Sequence, residues 1–97
     1  NARHNEAYTF KGDLNLSRGR FRNDKNPIEE GCGCYACKNH SKAYVHHLLK
    51  SNEATGLSLM TMHNLFFVHR LLRRAKDAIK EKRFYEFKEE ALAGLKR

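Results

Sequence analysis

Polar and apolar residues alternate over residues 3–21, around Tyr8, Phe10, Leu14, Leu16 and Phe21, with Gly12-Asp13 and Gly19 as turn signals. This period of two predicts two or three short antiparallel strands. Residues 23–30, NDKNPIEE, hold the only proline and little to bury, so they are expected to form a connector. After Cys37 the period lengthens: Val45, Leu48 and Leu49 fall at the i, i+3, i+4 spacing of one helix face. That helix is expected to end within residues 51–56. A short apolar stretch, residues 57–60, then leads to Thr61, which reads as the N-cap of a longer helix. Leu65, Val68, Leu72, Ala75 and Ile79 recur along it at steps of three and four, and Arg70, Arg73, Arg74 and Lys80 occupy another face. A last helix is expected over residues 83–96, striped by Phe84, Phe87, Ala91 and Leu95. All three stripes read as core, because amphipathic helices of globular proteins usually bury such faces.

These elements describe an α+β fold with short antiparallel strands, a cysteine-rich loop and about three helices. Residues 1–30 would hold the strands and connector, and residues 31–97 the loop and a helical subdomain. A chain of 97 residues makes at most one small domain, and at that size only about 60–65% of the unfolded surface is buried. No run is long and apolar enough to span a membrane, and no signal-peptide pattern opens the chain. The first residue is Asn1 rather than methionine, so the chain reads as a piece of something longer. Nineteen Lys and Arg against eleven Asp and Glu give a net charge of +8. That excess fits an acidic partner such as nucleic acid, or equally a solvated basic surface.

The candidate chemistry lies in GCGCYACKNHSKAYVHHLL, which contains the only three cysteines, Cys32, Cys34 and Cys37. An odd number of thiols in one tight turn argues against a disulfide framework. A metal would use all three. Thiolates plus a nitrogen in tetrahedral geometry suit zinc, whereas an iron–sulfur cluster usually takes a fourth cysteine. Gly31 and Gly33 flank the first sulfur and permit unusual backbone dihedrals. Among six histidines, spacing leaves His40 and His63 as rival fourth ligands, ahead of His4, His46, His47 and His69. Three unrelated buried thiols would be the alternative. Structural zinc contributes about 10–16 kcal/mol of apparent binding free energy, comparable to or larger than a domain's whole stability. Reduced thiols also suit a cytoplasmic or nuclear compartment.

His40, Tyr44 and His47 fall at i, i+4, i+7 after the cysteine motif, stacking two imidazoles and a phenol on one side. By chemistry alone this stripe reads as a core edge, although rings of this kind also suit a subunit interface.

The run over residues 1 to about 87, and above all GCGCYACKNHSKAYVHHLL followed by MTMHNL, closely resembles the C-terminal part of the tRNA-guanine transglycosylases, also called queuine tRNA-ribosyltransferases. The resemblance implies a (β/α)8 barrel enzyme with a zinc-bearing subdomain near its C-terminal end. It implies a glycosyltransferase that exchanges guanine for a 7-deazaguanine base at the anticodon wobble position of tRNA, as in queuosine biosynthesis. It further implies Cys32, Cys34, Cys37 and His63 as ligands of one structural zinc, which removes His40 from the contest. Tyr44 and His47 match positions at a subunit interface of a homodimer, which reverses the core-edge reading. Arg3 matches the end of a loop that grips the anticodon and becomes the first candidate for a tRNA contact.

By the same resemblance, catalysis runs through a nucleophilic aspartate that would attack the ribose carbon and a second aspartate acting as acid and base. Both would lie upstream of Asn1. Asp13, Asp24 and Asp77 match neither, so no catalytic residue is expected here and the chain alone should be inactive. Lys38, Lys42, Arg18, Arg20 and Arg22 are further candidates for phosphate contacts, with no sign in the sequence that they share a face. Two other readings remain: a stand-alone basic zinc module that binds RNA, and part of the non-catalytic partner subunit of the heterodimeric enzyme.

Overall fold

In the computed structural model, which describes residues 5–95, the period-two segment folds into a single hairpin. Strand β1 (Glu6–Thr9) pairs antiparallel with β2 (Gly12–Asn15), Glu6 opposite Asn15 and Thr9 opposite Gly12. The two-residue turn is Phe10-Lys11, and Gly12 closes it at φ 119°, a conformation that glycine adopts without a Cβ penalty. The Thr9 hydroxyl locks it by donating to the Gly12 carbonyl (2.6 Å) and accepting from the Lys11 amide (3.1 Å). No third strand follows among the described residues. Gly19–Phe21 is a 3-10 turn that drives the Phe21 ring into the core.

The connector is not empty. Ile28 is a core residue, and the carbonyls of Asp24 and Asn26 accept the amides of Ala43 and Lys42 (both 2.8 Å). Four α-helices follow rather than three: α1 (Tyr35–Asn39), α2 (Lys42–Lys50), α3 (Ala54–Lys80) and α4 (Phe84–Leu95). The additional one, α1, is a short turn inside the cysteine motif. Ser41 caps α2 by accepting the Tyr44 amide (3.1 Å), which satisfies an otherwise orphan N–H. Val45 of α2 is buried, and Leu48 and Leu49 pack against the core, as their spacing predicts.

Helix α3 departs from the sequence reading twice. It begins at Ala54, after a turn in which Asn52 takes φ 58°, so residues 57–60 are already helical. Thr61 is therefore no N-cap; its hydroxyl donates to the Leu57 carbonyl one turn back (2.9 Å). Gly56, read as a helix end, is instead the point where α3 crosses α2. A Cβ there would lie 2.9 Å from the Leu48 Cβ and 3.1 Å from the Leu49 amide nitrogen.

The second departure is the stripe. Gly56, Leu59, Met60, His63, Phe67 and Ala78 form the buried face of α3. The expected core stripe points outward: Leu65, Val68, Leu72 and Ile79 are 60%, 41%, 62% and 61% exposed, and Ala75 is half-buried. The helix carries two apolar faces, and the hairpin, α1 and α2 cover only the one bearing His63. On α4, Phe87, Ala91 and Leu95 are half-buried and Phe84 is exposed, so that stripe is only partly core.

The Gly56 crossing has a testable cost. Helix propensity alone would make Gly56→Ala stabilising by about 1 kcal/mol. The contact with α2 reverses the sign, because a methyl forced against helix backbone costs typically about 1–3 kcal/mol. We expect Gly56→Ala to lower the thermal midpoint, by roughly 4–8 °C per kcal/mol for a domain of this size. A raised midpoint in calorimetry would contradict the close crossing.

Candidate metal centre

Three segments converge on one buried point. The bend over residues 31–34 presents Cys32 and Cys34, α1 presents Cys37, and the third turn of α3 presents His63. All four side chains are buried, and their ligand atoms lie within 4.8 Å of one another. The His63 Nδ1 is 3.6, 3.5 and 3.4 Å from the sulfurs of Cys32, Cys34 and Cys37. A tetrahedral zinc with ordinary Zn–S and Zn–N bonds separates sulfur from nitrogen by about 3.6 Å. The cluster therefore has the dimensions of a closed Cys3His zinc site.

Local backbone chemistry prepares the sulfurs. Cys34 caps α1, its sulfur accepting the Cys37 amide at 3.3 Å, and the Cys32 sulfur lies 3.5 Å from the Cys34 amide. Such N–H groups favour thiolates. Of the two flanking glycines, only Gly31 needs its freedom, with φ 81°. Gly33 has a conventional φ and faces the Phe66 ring.

The imidazole is oriented from behind. Its Nε2 lies 2.6 Å from the Tyr8 carbonyl, which can only accept, so Nε2 carries the proton and Nδ1 turns a free lone pair to the sulfurs. The neighbouring Asn64 grips the same strand: its Oδ1 accepts the Tyr8 amide (2.9 Å) and its Nδ2 donates to the Glu6 carbonyl (3.0 Å). Glu29, from the connector, accepts the Phe10 amide (2.9 Å) and pairs with Arg70 (2.8 Å). The Arg74 guanidinium lies 3.9 Å above the Phe10 ring. Hairpin, connector and α3 are thus cross-tied around the histidine.

The electrostatics call for a cation. Burial pushes the Cys37 thiol well above the usual range and raises Cys34 as well, against hydrogen bonds from backbone amides; the Cys34 and Cys32 sulfurs add to the rise at Cys37. Burial also holds His63 below its ordinary value, so it is neutral at pH 7, the form that can ligate. Ionised thiolates packed this closely need a positive ion between them, and one zinc supplies it when bound.

The other described histidines are elsewhere. His46 donates Nδ1–H to the Leu16 carbonyl (2.8 Å) as a satisfied core residue. His47 lies 3.2 Å from the Arg22 carbonyl, and His69 is exposed. His40 ends α1 and stacks on Tyr44 with ring centroids 4.5 Å apart. His40 is partly exposed, and Tyr44 and His47 face solvent. Arg3 and His4 lie outside the described residues. Of the five cations proposed for phosphate contact, Arg20 and Lys42 line a cleft of about 420 Å³ with Lys11, Arg70 and Arg74, whereas Lys38 borders another beside His40 and Tyr44. Lys42 is also paired with Asp24 (3.2 Å).

Sequence reasoning missed Tyr8, Glu29, Asn64 and Arg70. Asn64 had a signal, as the amide adjoining a candidate ligand in MTMHNL. Tyr8 acts through its backbone and Glu29 sits in an unpatterned connector, so neither announced a role.

A family model described as queuine tRNA-ribosyltransferase matches residues 1–97. Curated relatives bearing that name include proteins of Fusobacterium nucleatum, 49% identical over 91% of this chain, and Lachnospira eligens, 47% identical over 99%. A Helicobacter pylori relative is 46% identical over 95% of the chain. The chain spans about a quarter of the length of these relatives, 24%, 25% and 25% respectively.

Elemental analysis should find about one zinc per chain. His63→Ala should lose it during dialysis against a chelator, while His40→Ala keeps it. Asn64→Ala should weaken zinc affinity by less than the roughly 10–100-fold lost with a ligand's direct hydrogen-bond partner, because Asn64 acts through the Tyr8 backbone. Calorimetric titration in buffers of different ionisation enthalpy should show at least two protons released per zinc near pH 7.5, because Cys34 and Cys37 start protonated. The depressed His63 gives the metal-free chain a pH dependence of its own. Its contribution to stability is present above the unfolded imidazole value, about 6.5, and is lost as pH falls. Proton-neutral binding would contradict this account.

Proposed function

Because the chain belongs to the queuine tRNA-ribosyltransferase family, we propose that it works as the C-terminal, zinc-bearing portion of a tRNA-guanine transglycosylase. The enzyme exchanges guanine for a 7-deazaguanine at the anticodon wobble position. The observation that carries this reading is the buried Cys3His cluster, lying within a segment matched along its whole length by the family.

In this role the chain contributes support rather than chemistry. Zinc supplies a crosslink between the cysteine segment and α3. His63 and Asn64 extend that crosslink to β1, the strand that follows Arg3. Arg3 is the proposed tRNA contact, a guanidinium suited to a phosphate or base edge of the anticodon loop. The net charge of +8 favours the approach of tRNA. The exposed Tyr44 and His47, with His40 stacked on Tyr44, offer rings for a homodimer interface. The two aspartates of the exchange belong to an upstream (β/α)8 barrel. Among the described aspartates, Asp24 is committed to the Asn26 amide and Lys42, and Asp77 lies exposed on α3. We assign residues 1–30 and 31–97 as two parts of one working unit, in a cytoplasmic enzyme.

Incorporation of labelled guanine into tRNA is the direct assay. The polypeptide carrying the upstream barrel should exchange base, and the 97-residue chain should not. Exchange by the chain alone would overturn the division of labour. The chain itself should bind tRNA weakly, with affinity falling steeply as salt rises, because a few phosphate contacts dominate. Tight, salt-insensitive and sequence-selective binding would favour a stand-alone RNA module. In the full-length enzyme, Tyr44→Ala should shift the dimer toward monomer in light scattering. An unchanged molar mass would remove the stripe from the interface.

A further inference from the structure

The hairpin tip, the connector and α3 enclose a cleft of about 420 Å³, a volume within the range of about 300–1,000 Å³ usual for small-molecule sites. None of the four metal ligands lines it. Its floor is apolar, with Phe21 and Ile28 buried and Phe10 and Leu14 half-buried. Its walls carry five cations, of which two are committed: Arg70 pairs with Glu29, and Lys42 with Asp24. Lys11, Arg20 and Arg74 have no carboxylate partner among the described residues. The two arginines lie instead on aromatic rings, Arg74 at 3.9 Å from the Phe10 centroid and Arg20 at 4.6 Å from that of Phe21. A guanidinium held on a ring by its flat face keeps its N–H edge free for a bidentate bond to phosphate.

We propose that this cleft binds a nucleoside monophosphate, its phosphate held by the unpaired cations and its base laid on the apolar floor. An apolar floor and a cationic wall in one cavity call for a ligand of both characters, a flat apolar body carrying a compact anion. The carboxylates of the cleft choose a small ligand over an RNA strand. Glu29 and Glu30 line the same cavity, and Glu30 is exposed, so a polyanion crossing the rim would bring further phosphates against them. A single phosphate meets only the arginine side. A ribose hydroxyl, by contrast, is a donor that a carboxylate accepts. The inference does not depend on the transglycosylase role.

The test is calorimetric titration of the zinc-loaded chain with adenosine 5′-monophosphate (AMP), beside adenosine, inorganic phosphate and a short RNA hairpin. AMP should bind at one site per chain and roughly tenfold or more tightly than adenosine or phosphate, each of which lacks one half of the interaction. Arg74→Gln should weaken AMP roughly tenfold or more, through loss of a charge-assisted bond. Lys80→Gln removes the same charge elsewhere on α3 and should leave AMP binding unchanged; equal losses in the two variants would show unspecific attraction and overturn the site. Because Arg74 also steadies Phe10, Arg20→Gln, on the exposed 3-10 turn, is a second variant expected to weaken binding. In methyl NMR spectra of the unsubstituted chain, AMP should shift Leu14 and Ile28, and shifts confined to other methyls overturn the assignment. No binding at millimolar AMP, phosphate bound as tightly as AMP, or AMP displaced by the RNA hairpin would each overturn it too. The polypeptide carrying the upstream barrel should show the same dependence on Arg74, and its absence there would remove the site from the working protein.

Discussion

The packing of three sulfurs and one imidazole nitrogen into a single buried cluster is the constraint on which the rest of the structure depends. Without a cation, burial holds the Cys34 and Cys37 thiols protonated, and the cluster has little reason to close. With one zinc, residues 32–37 are fastened to a helix that lies about thirty residues further along the chain. Binding energy of this kind, roughly 10–16 kcal/mol, is folding energy in a domain whose apolar core is small.

The histidine is both a ligand and a relay. Its outer nitrogen fixes the Tyr8 carbonyl, and the adjacent Asn64 takes the Tyr8 amide, so two consecutive residues of α3 satisfy both backbone groups of one strand residue. A hairpin of two strands is marginal by itself in water. Here it is held by α3, by the Glu29–Arg70 pair and by the tilted contact of the Phe10 ring with Phe67 beneath Arg74. Disturbance of the metal therefore reaches the N-terminal strand directly, which connects the structural ion to the segment proposed to meet tRNA.

Helix α3 is apolar on two sides, and only one side is used by the described residues. The inner row is interrupted by Gly56, where α3 crosses α2, and by His63, at the metal cluster. The outer seam is the more regular of the two. Regularity records that a face is apolar, whereas burial depends on which partner lies against it.

The sequence by itself determined the α+β class, the hairpin, the helical second half and the three sulfur ligands, because each is written in local spacing: period two, period 3.6, and cysteines crowded into one bend. Spacing left His40 and His63 as rivals, and only resemblance to a family favoured the second. Tertiary structure decided the rest. It set His63, rather than His40, against the sulfurs; it began α3 at Ala54 instead of near Thr61; it turned the Leu65–Ile79 seam outward; and it gave Glu29 and the Tyr8 backbone their supporting parts. The physical reason is common to all four. Periodicity reports what a segment can bury or bind, and the choice between two such faces or two such ligands rests on contacts between residues far apart in the chain.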